Sequence, residues 1–170
     1  MITTEVPPAA VALPLPIAMG EKSVNPNWAF LEAFTAAFTS DDIVGWSGLA
    51  APDAVWEVVA SGETFTGKAK LLELANRSVA ARVHSGDTGI KPFNIFSNPD
   101  GSRVCWEYVH TAIVTDKWPA SERRPAVGSS VNIPIVLIME IRDGKFVKVR
   151  EYFDLLTASG DPRGAHPLYS

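Results

Sequence analysis

Three side chains in the second half of the chain have the chemistry for proton transfer: Glu151, His110 and Tyr108. Around Glu151, a strand puts Val147, Val149, Glu151 and Phe153 on one face and Lys148, Arg150, Tyr152 and Asp154 on the other, because strand side chains alternate. A carboxylate among Val and Phe is desolvated. Desolvation disfavours the charged form and raises the pKa toward values suited to general acid–base work near neutrality. The competing reading is a structural Glu whose burial is offset by a hydrogen bond or an ion pair. Upstream, Trp106, Tyr108, His110 and Ala112 share a strand face opposite Cys105, Glu107, Val109, Thr111 and Ile113. Both sets are mixed, so alternation alone leaves open which one faces inward.

Other chemistries find no pattern. The three histidines lie in no HExxH or carboxylate spacing, and there is no nucleophile elbow or phosphate-binding glycine loop, so neither a metal nor another cofactor is expected. His84 reads as a cap on a helix C-terminus, and His166 belongs to the tail. The lone Cys105 excludes an internal disulfide and a CxxC site, which fits a reducing cytoplasm. Nineteen acids against fifteen bases, with no basic run longer than two, exclude a nucleic-acid footprint. The apolar stretch 6–19 is interrupted by Pro7, Pro8, Pro14 and Pro16, and so makes a poor signal peptide or membrane span.

The elements that must position these groups follow from periodicity. The chain is 170 residues long, 46% hydrophobic, with five Trp and eight Phe, enough for one domain with a sizeable core. Asn25-Pro26-Asn27 signals a helix start, with Asn as cap, and Trp28, Leu31, Phe34 and Phe38 continue it at helical spacing. Ser40-Asp41-Asp42 ends this helix and caps a second, carrying Ile43, Trp46 and Leu49 and terminated by Pro52. Residues 54–60 and 64–66 form a small hairpin, and Lys68 to Arg82 a third helix. From residue 86 the period is two. Strands at 90–97, 103–115, 131–142 and 145–155 are joined in pairs by Asp100-Gly101 and Asp143-Gly144, so an antiparallel meander is expected. Residues 1–24 read as an extended arm, 25–157 as the domain and 158–170 as a tail. The long connection 116–130 reads as a lid or an edge-covering loop, with Arg123-Arg124 as solvated charge.

The segment Asp53-Ala54-Val55-Trp56-Glu57 with Gly62, Phe65 and Gly67, and the closing Asp143-Gly144-Lys145-Phe146 through Arg150-Glu151-Tyr152-Phe153-Asp154-Leu155, resemble the nuclear transport factor 2-like superfamily. Within it the pattern is most similar to SnoaL-like polyketide cyclases and limonene-1,2-epoxide hydrolases, over roughly residues 27–157. The resemblance implies an α+β, cone-shaped, cystatin-like barrel of three N-terminal helices packed on a curled antiparallel sheet. It also implies a homodimer formed through the outer sheet face. The epoxide hydrolases' last-strand acid falls on Glu151. Their middle-strand arginine and aspartate fall on Tyr108 and His110, and their water-holding tyrosine and asparagine fall on Trp56 and Val58.

The resemblance also turns the Trp106, Tyr108, His110 face inward. A pocket then forms with Glu151 as general acid or base, His110 as its proton partner and Tyr108 as a donor to a developing oxyanion. Trp28, Trp56, Val58, Trp106 and Phe153 would line it for a small hydrophobic, cyclic substrate. Two functions follow. One is a cofactor-independent acid–base enzyme, a cyclase, isomerase or epoxide-opening catalyst; the other is a non-catalytic ligand-binding or assembly module on the same scaffold.

Overall fold

The structure, a computed structural model, describes residues 27–118 and 124–154. These form helices α1 (Trp28–Thr39), α2 (Ile43–Gly48) and α3 (Lys68–Ala80), and strands β1 (Ala50–Val58), β2 (Glu63–Thr66), β3 (Arg82–Val83), β4 (Gly89–Ser97), β5 (Arg103–Val114), β6 (Ser130–Arg142) and β7 (Lys145–Phe153). The expected arm (1–24) and tail (158–170), and positions 119–123 of the long connection, lie outside the described residues.

The helical spacing of the first element buries Phe30, Leu31, Phe34 and Ala37 on one side of α1. Asn27 does not cap this helix with its side chain; its Nδ2 donates instead to the Gly101 carbonyl at 2.7 Å, tying the helix start to the β4–β5 turn. Asp42 does cap α2, accepting from the Gly45 amide at 2.9 Å. Pro52 is not the terminator of α2, which ends at Gly48; it lies inside β1. Likewise α3 ends at Ala80, and Arg82 starts a short strand rather than the last helical turn.

The strands form one curled, unclosed sheet in the order β2-β1-β7-β6-β5-β3, with β4 also paired to β5. It is not purely antiparallel, because β1 and β7 run parallel, which brings the first strand beside the last. The two hairpins form where aspartate-glycine pairs predict them. Asp143 and Gly144 have φ of 52° and 66°, the two left-handed residues that a tight turn between twisted strands needs.

Alternation on β5 is resolved without ambiguity. Val104, Trp106, Tyr108, His110, Ala112 and Val114 are all buried, and the intervening residues are only partly so. On β7 alternation in burial is clear only between buried Val149 and exposed Arg150, with Glu151, Tyr152 and Phe153 all partly buried, and it fails earlier. The β6 partner of Phe146 is Ile141 and that of Lys148 is Glu140, a bulge that turns both Phe146 and Val149 inward and leaves Val147 only partly buried. Phe34 is fully buried at the centre of an aromatic cluster, with Phe30, Phe38, Trp106 and Phe146 at ring-centroid distances of 5.4–6.1 Å. Such pairs add about 0.5–1.5 kcal/mol each beyond their area burial, which holds α1 against the inner sheet face.

Candidate active site

Glu151 sits on β7 in register with Val58 on β1 and Leu137 on β6, so three strands fix its position. Two residues from Val58 on the same face of β1, the Trp56 indole donates from Nε1 to Glu151 Oε2 at 2.9 Å. Both residues line a pocket with a cavity volume of about 70 Å³. Its walls are Phe38 and Ala37 from α1, Ile43 and Trp46 from α2, and Leu74, Ala75 and Val79 from α3; its polar groups are Asp41, Asp42, Ser78, Arg82 and Glu151. Burial raises the Glu151 pKa above the ordinary carboxylate value, opposed by the Trp56 hydrogen bond and the positive charge of Arg82. The sequence reading offered a proton-transfer acid or a hydrogen-bonded structural Glu as alternatives. The residue has the hydrogen bond, and its carboxyl also faces a pocket.

Beside Glu151 lies a second polar group built from distant parts of the chain. Asp41, in the left-handed conformation at φ 56°, turns its carboxylate toward Arg82 and His84. Asp41 Oδ1 accepts from Arg82 Nη2 at 2.8 Å, and Oδ2 lies 3.0 Å from His84 Nδ1. Arg82 Nη1 also donates to the Ser78 hydroxyl. The carboxylate assigns the His84 proton to Nδ1, which leaves Nε2 as an acceptor. That lone pair faces Arg82 Nε at 3.3 Å and His110 Nε2 at 3.1 Å, so His110 carries its proton on Nε2. Burial, Arg82 and His84 press the His110 pKa down to about 3, and burial lowers that of His84 too, so both imidazoles are neutral at physiological pH.

Of the residues singled out in the sequence, the pocket wall takes Glu151 and Trp56. Val58 adjoins Glu151 across the β1–β7 pairing. Tyr108 and Trp106 lie one layer deeper, both packed edge-on against Phe38. The Tyr108 phenol is held protonated, its pKa pushed well up by burial and by the negative charge of Glu151. His110 shares their face, and its hydrogen-bond partner is His84. Phe153 is partly buried two residues beyond Glu151. Trp28 begins α1 and is not among the pocket-lining residues.

The residues that sequence reasoning missed are Asp41, Ser78 and Arg82, and His84 was read only as a helix cap. A basic residue at the end of a helical pattern and an aspartate before a helix both carry ordinary local explanations, so no local signal marked them. Among the described residues no group of three or more His, Cys, Asp or Glu is placed to hold a metal ion, and no helix is long and apolar enough to cross a membrane.

Residues 31–149 match the SnoaL-like domain family. No curated protein matches the chain. Among solved structures, a candidate polyketide cyclase from Xanthomonas campestris pv. campestris is similar at a TM-score of 0.65 and 21% identity, over 79% of this chain and 95% of that one. A protein with a ketosteroid isomerase-like fold from Catenulispora acidiphila, in complex with trimethylamine, is similar at 0.61 and 20% identity, over 84% and 99%. An LEH-like epoxide hydrolase from M. tuberculosis is similar at 0.58 and 22% identity, over 81% and 90%. At these identities the likeness is one of fold.

Proposed function

The chain belongs to the SnoaL-like domain family, and from that premise we propose that it is a cofactor-independent acid–base enzyme acting on a small hydrophobic, cyclic substrate. One observation carries the reading: in a pocket with apolar walls from three helices, Asp41 is paired with Arg82 and Asp42 caps α2, whereas Glu151, among the described residues, takes its side-chain hydrogen bond from an indole N–H. Burial makes this carboxylate a stronger base than an exposed one. Glu151 is the group that moves the proton. His110 contributes indirectly, through His84 and Asp41, to the order of the wall opposite. Cyclase, isomerase and epoxide-opening reactions all use a positioned acid or base of this kind, and the structures of like fold include a candidate polyketide cyclase, a protein of ketosteroid isomerase-like fold and an LEH-like epoxide hydrolase.

The test is incubation of the purified protein with cyclic ketones, polyketide-like aromatic precursors and cyclic epoxides. Solvent-hydrogen exchange at C–H bonds next to carbonyls and product formation are followed by NMR for wild type and Glu151→Gln. Conversion or exchange lost in Glu151→Gln supports the reading. Tight binding without conversion, unchanged in Glu151→Gln, favours the binding-module alternative, for which the position of Tyr108 and His110 behind the pocket wall is the motivating observation. A homodimer through the outer sheet face is part of the proposal, supported by exposed Phe96 and Ile138, which flank Cys105 on that face. Sedimentation of wild type against Ile138→Lys tests it.

A further inference from the structure

We propose that the ion pair between Asp41 and Arg82 is the latch of a gate, and that the pocket opens to ligands when the start of α2, residues 41–45, swings away from the end of α3. The inference needs only that the pocket receives a ligand, and it holds whether Glu151 moves a proton or binds without chemistry.

As it stands the pocket is too small for a ring. Its volume is about 70 Å³, whereas an apolar cavity that takes up benzene measures about 150 Å³. A cyclic ligand therefore needs a wall to move. Exposure along the wall places the mouth: Asp42 and Ser78 are its exposed members, and Ala37, Trp46 and Trp56 its buried ones. The opening thus lies between the start of α2 and the last turn of α3, and Arg82 spans it. Its Nη2 donates to Asp41 Oδ1 at 2.8 Å on the α2 side, and its Nη1 donates to the Ser78 hydroxyl on the α3 side.

The two ends of α2 are held differently. At its C-terminal end Trp46 is buried, with ring centroids 5.3 Å from Trp56 and 5.7 Å from Phe146, and the Leu49 carbonyl accepts from the Phe146 amide at 3.0 Å. This end is a fixed pivot. The other end reaches across the mouth through Asp41, whose second carboxylate oxygen lies 3.0 Å from His84 Nδ1, with His84 backed in turn by His110. Asp41 has a φ of 56°, a conformation that costs an L-residue energy, so the pair and not the backbone's own preference holds the corner in place. Six residues are also too few for a helix to keep its position without tertiary contacts. The arginine side chain is 7% exposed in the closed state. Opening rehydrates both charges, which offsets the attraction lost, so a buried pair of this kind can release where an apolar contact of the same size would resist. Closed, the latch keeps water from Glu151.

The test is solvent exchange of N–H groups followed by NMR in wild type, Asp41→Asn and Asp41→Gly. Glycine adopts the left-handed turn without cost, so the second variant removes the latch while keeping the corner. Both variants retain the positive charge of Arg82 near Glu151, which favours the carboxylate that Trp56 binds, so faster exchange at Trp56 does not come from a weakened acceptor. The Trp56 Nε1–H sits at the buried end of the pocket and meets water when the gate opens, whereas the Trp106 Nε1–H, in the aromatic cluster behind Phe38, reports opening of the core. Backbone amides of β1 and β7 report separation of the strands. Exchange of the Trp56 indole rises about tenfold or more in both variants, on the scale of one charge-assisted hydrogen bond, while Trp106 and the strand amides keep their wild-type rates. An unchanged Trp56 rate overturns the proposal. An equal rise at Trp106 or in the strand amides also overturns it, because the pair would then hold the whole fold and not a gate. Neither result bears on whether Glu151→Gln abolishes conversion, so the gate and the acid–base reading fail separately.

Discussion

The indole N–H of Trp56 meets the carboxylate of Glu151 at 2.9 Å across two strands that pair in parallel, although the residues are 95 positions apart. The contact favours the charged carboxylate and the surrounding burial opposes it, so the proton affinity of Glu151 is set by a balance of two named effects. Removing the donor tips that balance. In Trp56→Phe the acid limb of the pH–rate profile moves to higher pH, with the plateau rate within about tenfold of wild type as expected for a tuning group. A limb that stays in place would show that the indole does not tune Glu151.

Glu151→Gln lowers turnover by about 10²–10⁴-fold, the usual worth of a positioned proton-transfer group. Its effect on stability has the opposite sign at neutral pH. Because the folded pKa lies above the ordinary carboxylate value of 4.5, the carboxyl's contribution to stability is present below that value and is lost as pH rises through the folded one. Melting temperatures of variant and wild type therefore converge at pH 4, and the variant melts higher at pH 8. A variant less stable than wild type at pH 8 would contradict this.

The two facing imidazoles make the fold acid-sensitive. His110 has a folded pKa of about 3 against an ordinary imidazole value of 6.5, so the unfolded chain binds the proton first, and stability falls as pH drops from 6.5 toward 3. At pH 5 the loss is about 2 kcal/mol, and the lowered pKa of His84 acts in the same direction. Urea denaturation at pH 7.5 and 5 measures it, and His110→Gln flattens the difference.

Phe34→Ala removes a fully buried ring from the contact between α1 and the sheet and costs about 3–5 kcal/mol. Val44→Ala, at a side chain 80% exposed on α2, changes stability by no more than about 0.5 kcal/mol. Chemical denaturation of the two variants checks both values. Equal losses would mean that α1 is not packed as described.

The legible part of this protein is the part written in short-range pattern. Period two and the aspartate-glycine turns located β4 through β7, helical spacing located α1 and α3, and alternation placed Glu151 on the apolar face of its strand, where the structure has it. Alternation along β5 separated Trp106, Tyr108 and His110 from Cys105 and Glu107 but was symmetric between the faces. The family resemblance turned the first set inward, and in the structure the packing of α1 against that side is what buries it.

The parallel β1–β7 pairing, the bulge beside Phe146 and the ion pair of Asp41 with Arg82 depend on contacts between residues far apart in the chain. Arg82 is locally an ordinary basic residue after a helix. It becomes a pocket group because β3 pairs with the end of β5, while the left-handed turn at Asp41 aims a carboxylate across 41 positions of sequence. By itself the sequence determined most of the extended and helical segments and which side chains share a face, since side-chain sterics and periodicity act over a few residues. Tertiary structure decided which charged groups share a desolvated space, because that follows from strand order and helix docking, and neither leaves a mark at any single position.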